Sequence, residues 1–388
     1  MKFNYNINMG ASLTSFGLAV PLPANAWSPF SPLRVLLSAL PAATAPLPCA
    51  WQSLKIYETQ NSSIVALRII VYNYNMNEIQ KKIEDFVKVN DFKGCVKFDE
   101  PMAPRTTFKI GGNAAVYAEP DELMDFIRLL QFLRSENIRF YLVGGASNIV
   151  FCDEEFMGVV ISTLRLNKIS SADISENEVL VTCGTGTTMA QLVNFCVKNR
   201  LEGLQTFAGL PGTIGGALFM NARCFDVSIC ESFVSANYLE LDDFTCYEIG
   251  YFPGEWDYKV SPFQNSSKLI LDAKLRLKKS DKSEEQLLEE CKKYIEERKS
   301  KGHFNYPSAG SVFRNNRNFG APSGKLIDEC GLKGKQIGNA QIAPFHGNFI
   351  INLGGATQKD VKKLVELTVK EIKEKKGFIL EPEIIFVE

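Results

Sequence analysis

The chain has 388 residues and 45% hydrophobic content, enough for a large core and more than one domain. Its 43 basic and 44 acidic residues leave a formal net charge of -1, which argues against nucleic acid or a charged membrane surface as partner. Ten scattered cysteines with no CxxC pair read as reduced thiols of a cytoplasmic protein, and with only His303 and His346 no histidine-based metal site is expected.

Residues 1–75 differ from the rest. Between Met1 and Leu54 the only charged side chains are Lys2 and Arg34, and prolines recur from Pro21 to Pro48. No run reaches the roughly 18 uninterrupted apolar residues of a spanning helix. Ala24-Asn25-Ala26 has the form of a signal cleavage site, but Pro21 and Pro23 interrupt the apolar stretch before it and the start is barely basic. The expectation is a disordered extension, or translated sequence upstream of a start at Met76.

From there the pattern becomes regular. Ile79, Ile83, Phe86 and Val87 recur at helical spacing over 77–90. PRTTFKIGGNAAVYAEP, Pro104 to Pro120, is punctuated by Ile110-Gly111-Gly112 and continues as a strand over 115–118. A helix over 121–137 follows, with Leu123, Phe126, Leu129 and Leu130 on one face. RFYLVGGASNIVF, Arg139 to Phe151, reads as strand, glycine turn and strand, a form that turns backbone N–H groups toward phosphate. Gly184-Thr185-Gly186 lies between a strand over 178–183 and a helix over 188–199, but Met189 stands where a dinucleotide fingerprint needs its third glycine. Gly320 to Lys325 is one residue short of a P-loop, so neither a Rossmann nor a P-loop site is expected.

The stretch LQTFAGLPGTIGGALFMN, Leu204 to Asn221, spaces Gly209, Gly212 and Gly215 by three and adds Gly216 and Pro211. Four glycines among apolar residues suit a backbone-lined groove for something flat and phosphorylated; a tight turn packed in a core is the equal alternative. Residues 235–277 are rich in strand pattern, and 280–301 form a charged helix with acid–base pairs at i,i+4, read as a solvated connector. SGKLIDECGLKG, from Ser323, is a helix ending at Gly331, AQIAPFHGNFIINLGGAT a strand and turn, and 359–376 an amphipathic helix stopped by Gly377. LEPEIIFVE closes the chain as a strand.

Taken together, GLPGTIGGALFMNA, RFYLVGGASNIVF, WDYKVSPFQ, PSAGSVFRN and LEPEIIFVE resemble the motifs of the UDP-N-acetylenolpyruvoylglucosamine reductase (MurB) family. The resemblance spans about Phe92 to Val387 and fits that family's shorter second type, which lacks a tyrosine-bearing insertion. It implies an α+β flavoprotein of the wider vanillyl-alcohol-oxidase/MurB-like fold with a C-terminal α/β substrate domain. The implied divisions are 76–150, joined by strand 379–388, and 151–278 as FAD-binding subdomains, and 279–378 as the substrate domain.

By the same resemblance, non-covalent FAD would be held by Lys109, Ile110, Gly144, Gly145, Ala146, Ser147, Asn148, Gly209, Leu210, Pro211, Gly212, Thr213, Gly215 and Gly216. NADPH would be the reductant and a UDP-sugar the substrate. Ser311 would be the acid, with Glu383 paired to it and Glu381 the runner-up. Tyr258, Arg314, Asn315 and Lys325 would contact substrate.

Several positions depart from the family, among them Asn316 where proline is usual. Lys109 and Lys259 stand where arginine is usual, and Lys259, the third catalytic candidate, lacks the bidentate fork that grips a carboxylate in one plane. Arg223 also falls at an unusual place in the motif, with no firm role, and His346 reads as structural. The implied activity is NADPH-dependent reduction of UDP-N-acetylglucosamine enolpyruvate by a cytoplasmic, monomeric enzyme. Another FAD oxidoreductase of the wider fold, acting on an alcohol or sugar, and a non-catalytic sugar-nucleotide binder are the alternatives.

Overall fold

In a computed structural model, residues 55–57, 68–70 and 76–388 are described. The first two segments form one antiparallel pair, Lys55–Tyr57 with Arg68–Ile70, within a unit of its own. The expectation of a disordered or non-native extension otherwise falls outside the described residues. Met76 to Glu388 make up the second unit, which carries all of the motifs.

Near-continuous apolar runs in NAAVYAEP and FMGVVIS form strands buried on both faces, the mark of parallel pairing under helices. Asn113–Pro120 and Phe140–Val143 each pair in parallel with Phe156–Ser162, and Gly94–Pro101 adds an antiparallel edge. Helix Met76–Val89 turns Ile79, Ile83 and Phe86 inward, and helix Leu123–Ser135 buries Phe126, Leu129 and Leu130. This first sheet runs on to Ser162, past the limit expected at 150, because the strand after the glycine turn is needed to fill its centre. The C-terminus returns to the same region, where Ile385–Phe386 pairs in parallel with Ile149–Val150.

The second sheet has seven strands, antiparallel throughout. Its central strands alternate strictly: Val179, Val181 and Cys183 on one, and Ala273, Leu275 and Leu277 on its neighbour, face inward. Helix Met189–Lys198 closes over them, started by a capping box between Thr188 and Gln191. Burial pushes the Cys183 and Cys196 thiols up to about 12, so these are inert core groups. The charged helix Glu284–Ser300 joins this core through buried Leu287 and Cys291 rather than standing off as a solvated connector. Two inward positions one turn apart among many charges are easily missed as an apolar face.

The third sheet, Ser308–Ser311, Phe349–Asn352, Ala340–Ile342 and Gln336–Ile337 in that order, is antiparallel. Helix Gln358–Lys376 packs Val361, Leu364, Val365 and Ile372 into its core and ends at Gly377 with φ 75°. Under this sheet, His303 and His346 lie against Phe349 at ring separations of 4.9 and 4.5 Å. Burial, then the neighbouring Arg298, His346 and Lys301 cations, push His303 down from 6.5 to about 4. The unfolded chain therefore binds a proton between these values that the folded chain refuses. This part of stability is present above pH ~6.5 and lost as pH falls toward about 4. Urea unfolding between pH 4 and 7 is expected to lose this slope in His303→Phe.

Candidate active site

Two glycine turns face each other at the centre of the unit. Gly144 to Asn148 leaves strand Phe140–Val143, and Gly209 to Thr213 leads into helix Ile214–Phe219. A Cβ on Gly145 would stand 2.5 Å from Gly212 Cα, one on Gly144 would collide with Thr213 Oγ1, and one on Gly212 would lie 2.9 Å from Ser147 Oγ. Ser147 Oγ donates to the Pro211 carbonyl at 3.3 Å, tying the turns together. Only residues without side chains let two backbones meet at this spacing.

Ala146 is held at φ 47° and Gly212 at φ 112°. Among the described residues, the N–H groups of Gly145, Ala146, Ser147 and Asn148 on one turn, and of Gly209, Gly212 and Thr213 on the other, have no internal acceptor. Two opposed turns with unspent donors form a nest for a diphosphate, so the residues present fit FAD. The acceptors are already spent: the Ala146 carbonyl receives Thr107 N–H at 3.3 Å and the Gly212 carbonyl receives Met189 N–H at 3.0 Å.

Gly215 and Gly216 lie inside the helix, where Thr213 Oγ1 caps Gly216 N–H at 3.3 Å. A Cβ on Gly215 would strike Thr185, and one on Gly186 the Thr163 carbonyl. The Gly184-Thr185-Gly186 turn that fails as a nucleotide fingerprint is thus a packing device beneath the second cradle turn. Leu210 packs at the margin of the second core. Gly145→Ala is expected to lower FAD affinity by at least about tenfold, or ~1.4 kcal/mol, in a fluorescence titration of flavin-free protein.

Beside this cradle the structure brings together residues far apart in sequence. Lys259 Nζ and Glu383 Oε1 are 2.7 Å apart, with side chains 15% and 7% exposed. Glu383 N–H donates to the Val312 carbonyl at 2.7 Å, placing it beside Ser311, which ends strand Ser308–Ser311 opposite Phe349. Asn148 Nδ2, from the first cradle turn, donates to the Glu383 carbonyl at 3.1 Å. The cradle, the cation, the buried carboxylate and the serine strand are thereby one hydrogen-bonded assembly.

Lys259 is not on a strand. It occupies the third position of the turn Asp257–Val260 at φ 59°, where glycine is favoured, and that unusual backbone accompanies its inward ammonium. Glu381 does not share a face with Glu383 as a regular strand would require: it is exposed and Glu383 is buried. Pro382 bridges Phe313 but has no N–H to continue a ladder, so the closing segment is regular only at Ile385–Phe386.

The remaining expected residues divide. Arg314 Nε is buried without an internal partner among the described residues, while the Arg314 carbonyl accepts Ser323 Oγ at 2.6 Å. Asn315 Oδ1 accepts Ser323 N–H at 2.9 Å, starting the helix that carries exposed Lys325. Tyr258 is exposed on the Lys259 turn. Lys109 reaches the Pro104 carbonyl at 2.9 Å, and Ile110 is in the core with its N–H on Thr106 Oγ1 at 3.3 Å. Arg223 pairs with Asp226 at 3.0 Å on a two-residue hairpin. His346 Nδ1 receives the Asn348 N–H at 3.2 Å, and Asn348 in turn clamps Phe313 through Oδ1 at 2.9 Å and Nδ2 at 2.8 Å.

Sequence reasoning missed Asn348 and Arg298. The second is buried and donates to the carbonyls of Ala208 at 3.0 Å and Thr206 at 3.3 Å, directly before Gly209. Nothing local in the sequence marks Arg298, while Asn348 falls in the HGNF run, whose sequence reading gives it no role.

An antiparallel-and-parallel α+β body with two opposed glycine turns that present unspent N–H donors and a nearly buried ion pair beside them fits a flavin-binding protein. Comparison with known proteins agrees: an FAD binding domain model matches residues 114–239, and the model described as UDP-N-acetylenolpyruvoylglucosamine reductase, C-terminal domain, matches 302–387. Two reductases of that name are similar over nearly their whole lengths. One from Treponema denticola is 45% identical over 307 residues (76% of this chain, 94% of the relative), and one from Borreliella burgdorferi is 38% identical over 310 (79% and 98%). The crystal structure of the Thermus caldophilus reductase (MurB) superposes with a TM-score of 0.60 at 27% identity, covering 76% of this chain and all of that one. The chain belongs to the UDP-N-acetylenolpyruvoylglucosamine reductase family.

Proposed function

We infer that the protein reduces the enolpyruvyl group of UDP-N-acetylglucosamine enolpyruvate, giving the UDP-N-acetylmuramate used in peptidoglycan synthesis. The observation that carries this reading is the Lys259–Glu383 pair held between the FAD cradle and the Ser311 strand. The family supports the reductase over an FAD enzyme oxidising an alcohol or sugar. When bound, FAD supplies two-electron transfer from NADPH to the enolpyruvyl double bond.

The chain's own groups do the rest. The donors of both glycine turns hold the diphosphate. Lys259 sets a positive charge where negative charge grows on the substrate carboxylate, in a pocket where water screens it little. Glu383 keeps that ammonium pointed and neutralises it in the resting state. Ser311 Oγ gives its proton to the substrate carbon and regains one from solvent. The unpaired Arg314 Nε supplies a donor for a substrate oxygen, with Tyr258, Asn315 and Lys325 along the rim.

Lysine in place of arginine keeps the charge and loses the planar grip, so orientation rests more heavily on the turn that carries it. Among the described residues no helix is long and apolar enough to cross a membrane; the reading as a cytoplasmic monomer rests on the resemblance to the reductase family alone. Sedimentation tests the monomer.

The experiment for the reading is anaerobic absorbance on the purified protein. Oxidised flavin bands should bleach with NADPH and return when UDP-N-acetylglucosamine enolpyruvate is added without oxygen. Reoxidation only on admitting air would favour the oxidase alternative, and absence of bound flavin would overturn the reading.

A further inference from the structure

The Lys259 turn is strained at its third residue. A lysine at φ 59° in the third position of a four-residue turn is a conformation for glycine; Asp257 and Val260 exchange both backbone bonds, at 3.0 and 3.3 Å, and Asp257 Oδ1 accepts Tyr258 N–H at 2.6 Å, but none of these local bonds reaches the Lys259 carbonyl. Left alone, the backbone would relax toward negative φ and carry the ammonium away from Glu383. Three side chains oppose this, and all three fasten the turn to the end of the short helix Ile214–Phe219 that begins in the FAD cradle.

Gln264 Nε2 donates its two protons to the Phe219 carbonyl at 2.7 Å and to the Lys259 carbonyl at 3.2 Å. Ser261 Oγ donates to the same Phe219 carbonyl at 2.8 Å. Asn221, 2% exposed and itself at φ 39°, donates from Nδ2 to the Asp257 carbonyl at 2.8 Å. Phe219 O is one of the last-turn carbonyls that a helix leaves without an internal donor, so the clamp also completes the helix.

Of the three, only Gln264 touches Lys259 itself. We propose that Gln264 is a positioning residue: by gripping the helix end and the Lys259 carbonyl with one amide nitrogen, it sets where the Lys259 ammonium stands relative to the FAD seat. This rests on the reductase reading above. The clamp explains how a lysine serves where a forked guanidinium would orient itself, since the backbone supplies the precision that the side chain lacks.

The test is Gln264→Leu in the full-length holoenzyme, with Gln264→Met as the second variant should leucine not fold. FAD content and the rate of anaerobic bleaching by NADPH are expected to stay within about twofold of wild type. Flavin reoxidation by UDP-N-acetylglucosamine enolpyruvate is expected to slow by at least about tenfold, as for a small misplacement of a reacting group. In a Lys259→Ala background the same change should add nothing, because the residue acts only through Lys259. In flavin-free protein, hydrogen exchange at Val260 should quicken while the sheet amides around Leu275 do not change.

An unchanged reoxidation rate, an equal loss in both backgrounds, or an unaltered Val260 exchange rate overturns the proposal. Should the wild-type flavin not be reoxidised by this substrate at all, the reductase reading fails, and the exchange measurement still decides whether Gln264 holds the turn.

Discussion

Ser311→Ala is expected to lower the rate of flavin reoxidation by UDP-N-acetylglucosamine enolpyruvate by about 10³-fold, within the range for loss of a general acid. Anaerobic bleaching by NADPH should not change. Serine is a poor acid in water, so the role proposed for it depends on its surroundings. It ends a strand paired to Phe349, next to the Val312 carbonyl that anchors Glu383, and Glu383 in turn holds the Lys259 ammonium nearby. That cation offsets charge left on the hydroxyl oxygen as the proton departs. Removing only Oγ leaves the backbone pairing untouched, so the FAD cradle should remain intact. Rapid-mixing absorbance separates the two half-reactions, and full turnover in the alanine variant would exclude Ser311 as the acid.

Glu383→Ala should be costly twice over. The pair is nearly buried, and deleting one partner strands the other charge away from water, for a loss of about 3 kcal/mol in urea unfolding. Activity should fall by about 10²-fold or more, because an ammonium without its carboxylate partner is no longer held where the substrate carboxylate needs it. The double variant Lys259→Met/Glu383→Leu separates these effects. Replacing a buried ion pair with apolar groups of similar size is often neutral for stability, so most of the unfolding loss should return while activity does not. If activity returned with stability, the pair would be scaffolding alone.

The residues of the centre divide by how they could be read. Gly144, Gly145 and Gly212 were legible because their chemistry is local: a backbone that must approach another backbone leaves glycine in the sequence, whatever the rest of the chain does. The helices over Met76–Val89 and Gln358–Lys376 were legible for the same reason, their apolar spacing matching the helical period. The helix Glu284–Ser300 was found, but its packing was not, since Leu287 and Cys291 become an apolar face only when helix Met189–Lys198 and the turn at 205–207 come against them. Lys259 was marked by its motif, while its inward course depends on a turn conformation that nothing in WDYKVSPFQ requires by itself.

By itself the sequence determined the glycine turns, much of the order of strands and helices, and the places of the motifs that hold Ser311, Lys259 and Glu383, because each is a property of neighbours along the chain. Only the tertiary structure decided that Glu383 rather than Glu381 meets Lys259, that Asn148 ties the first glycine turn to Glu383, and that Gln264, Asn221, Asn348 and Arg298 brace the loops around them. Most of those contacts join residues tens to hundreds of positions apart, through single hydrogen bonds to backbone carbonyls. A carbonyl is the same at every residue, so its partner leaves no mark in the sequence until the fold brings the two together.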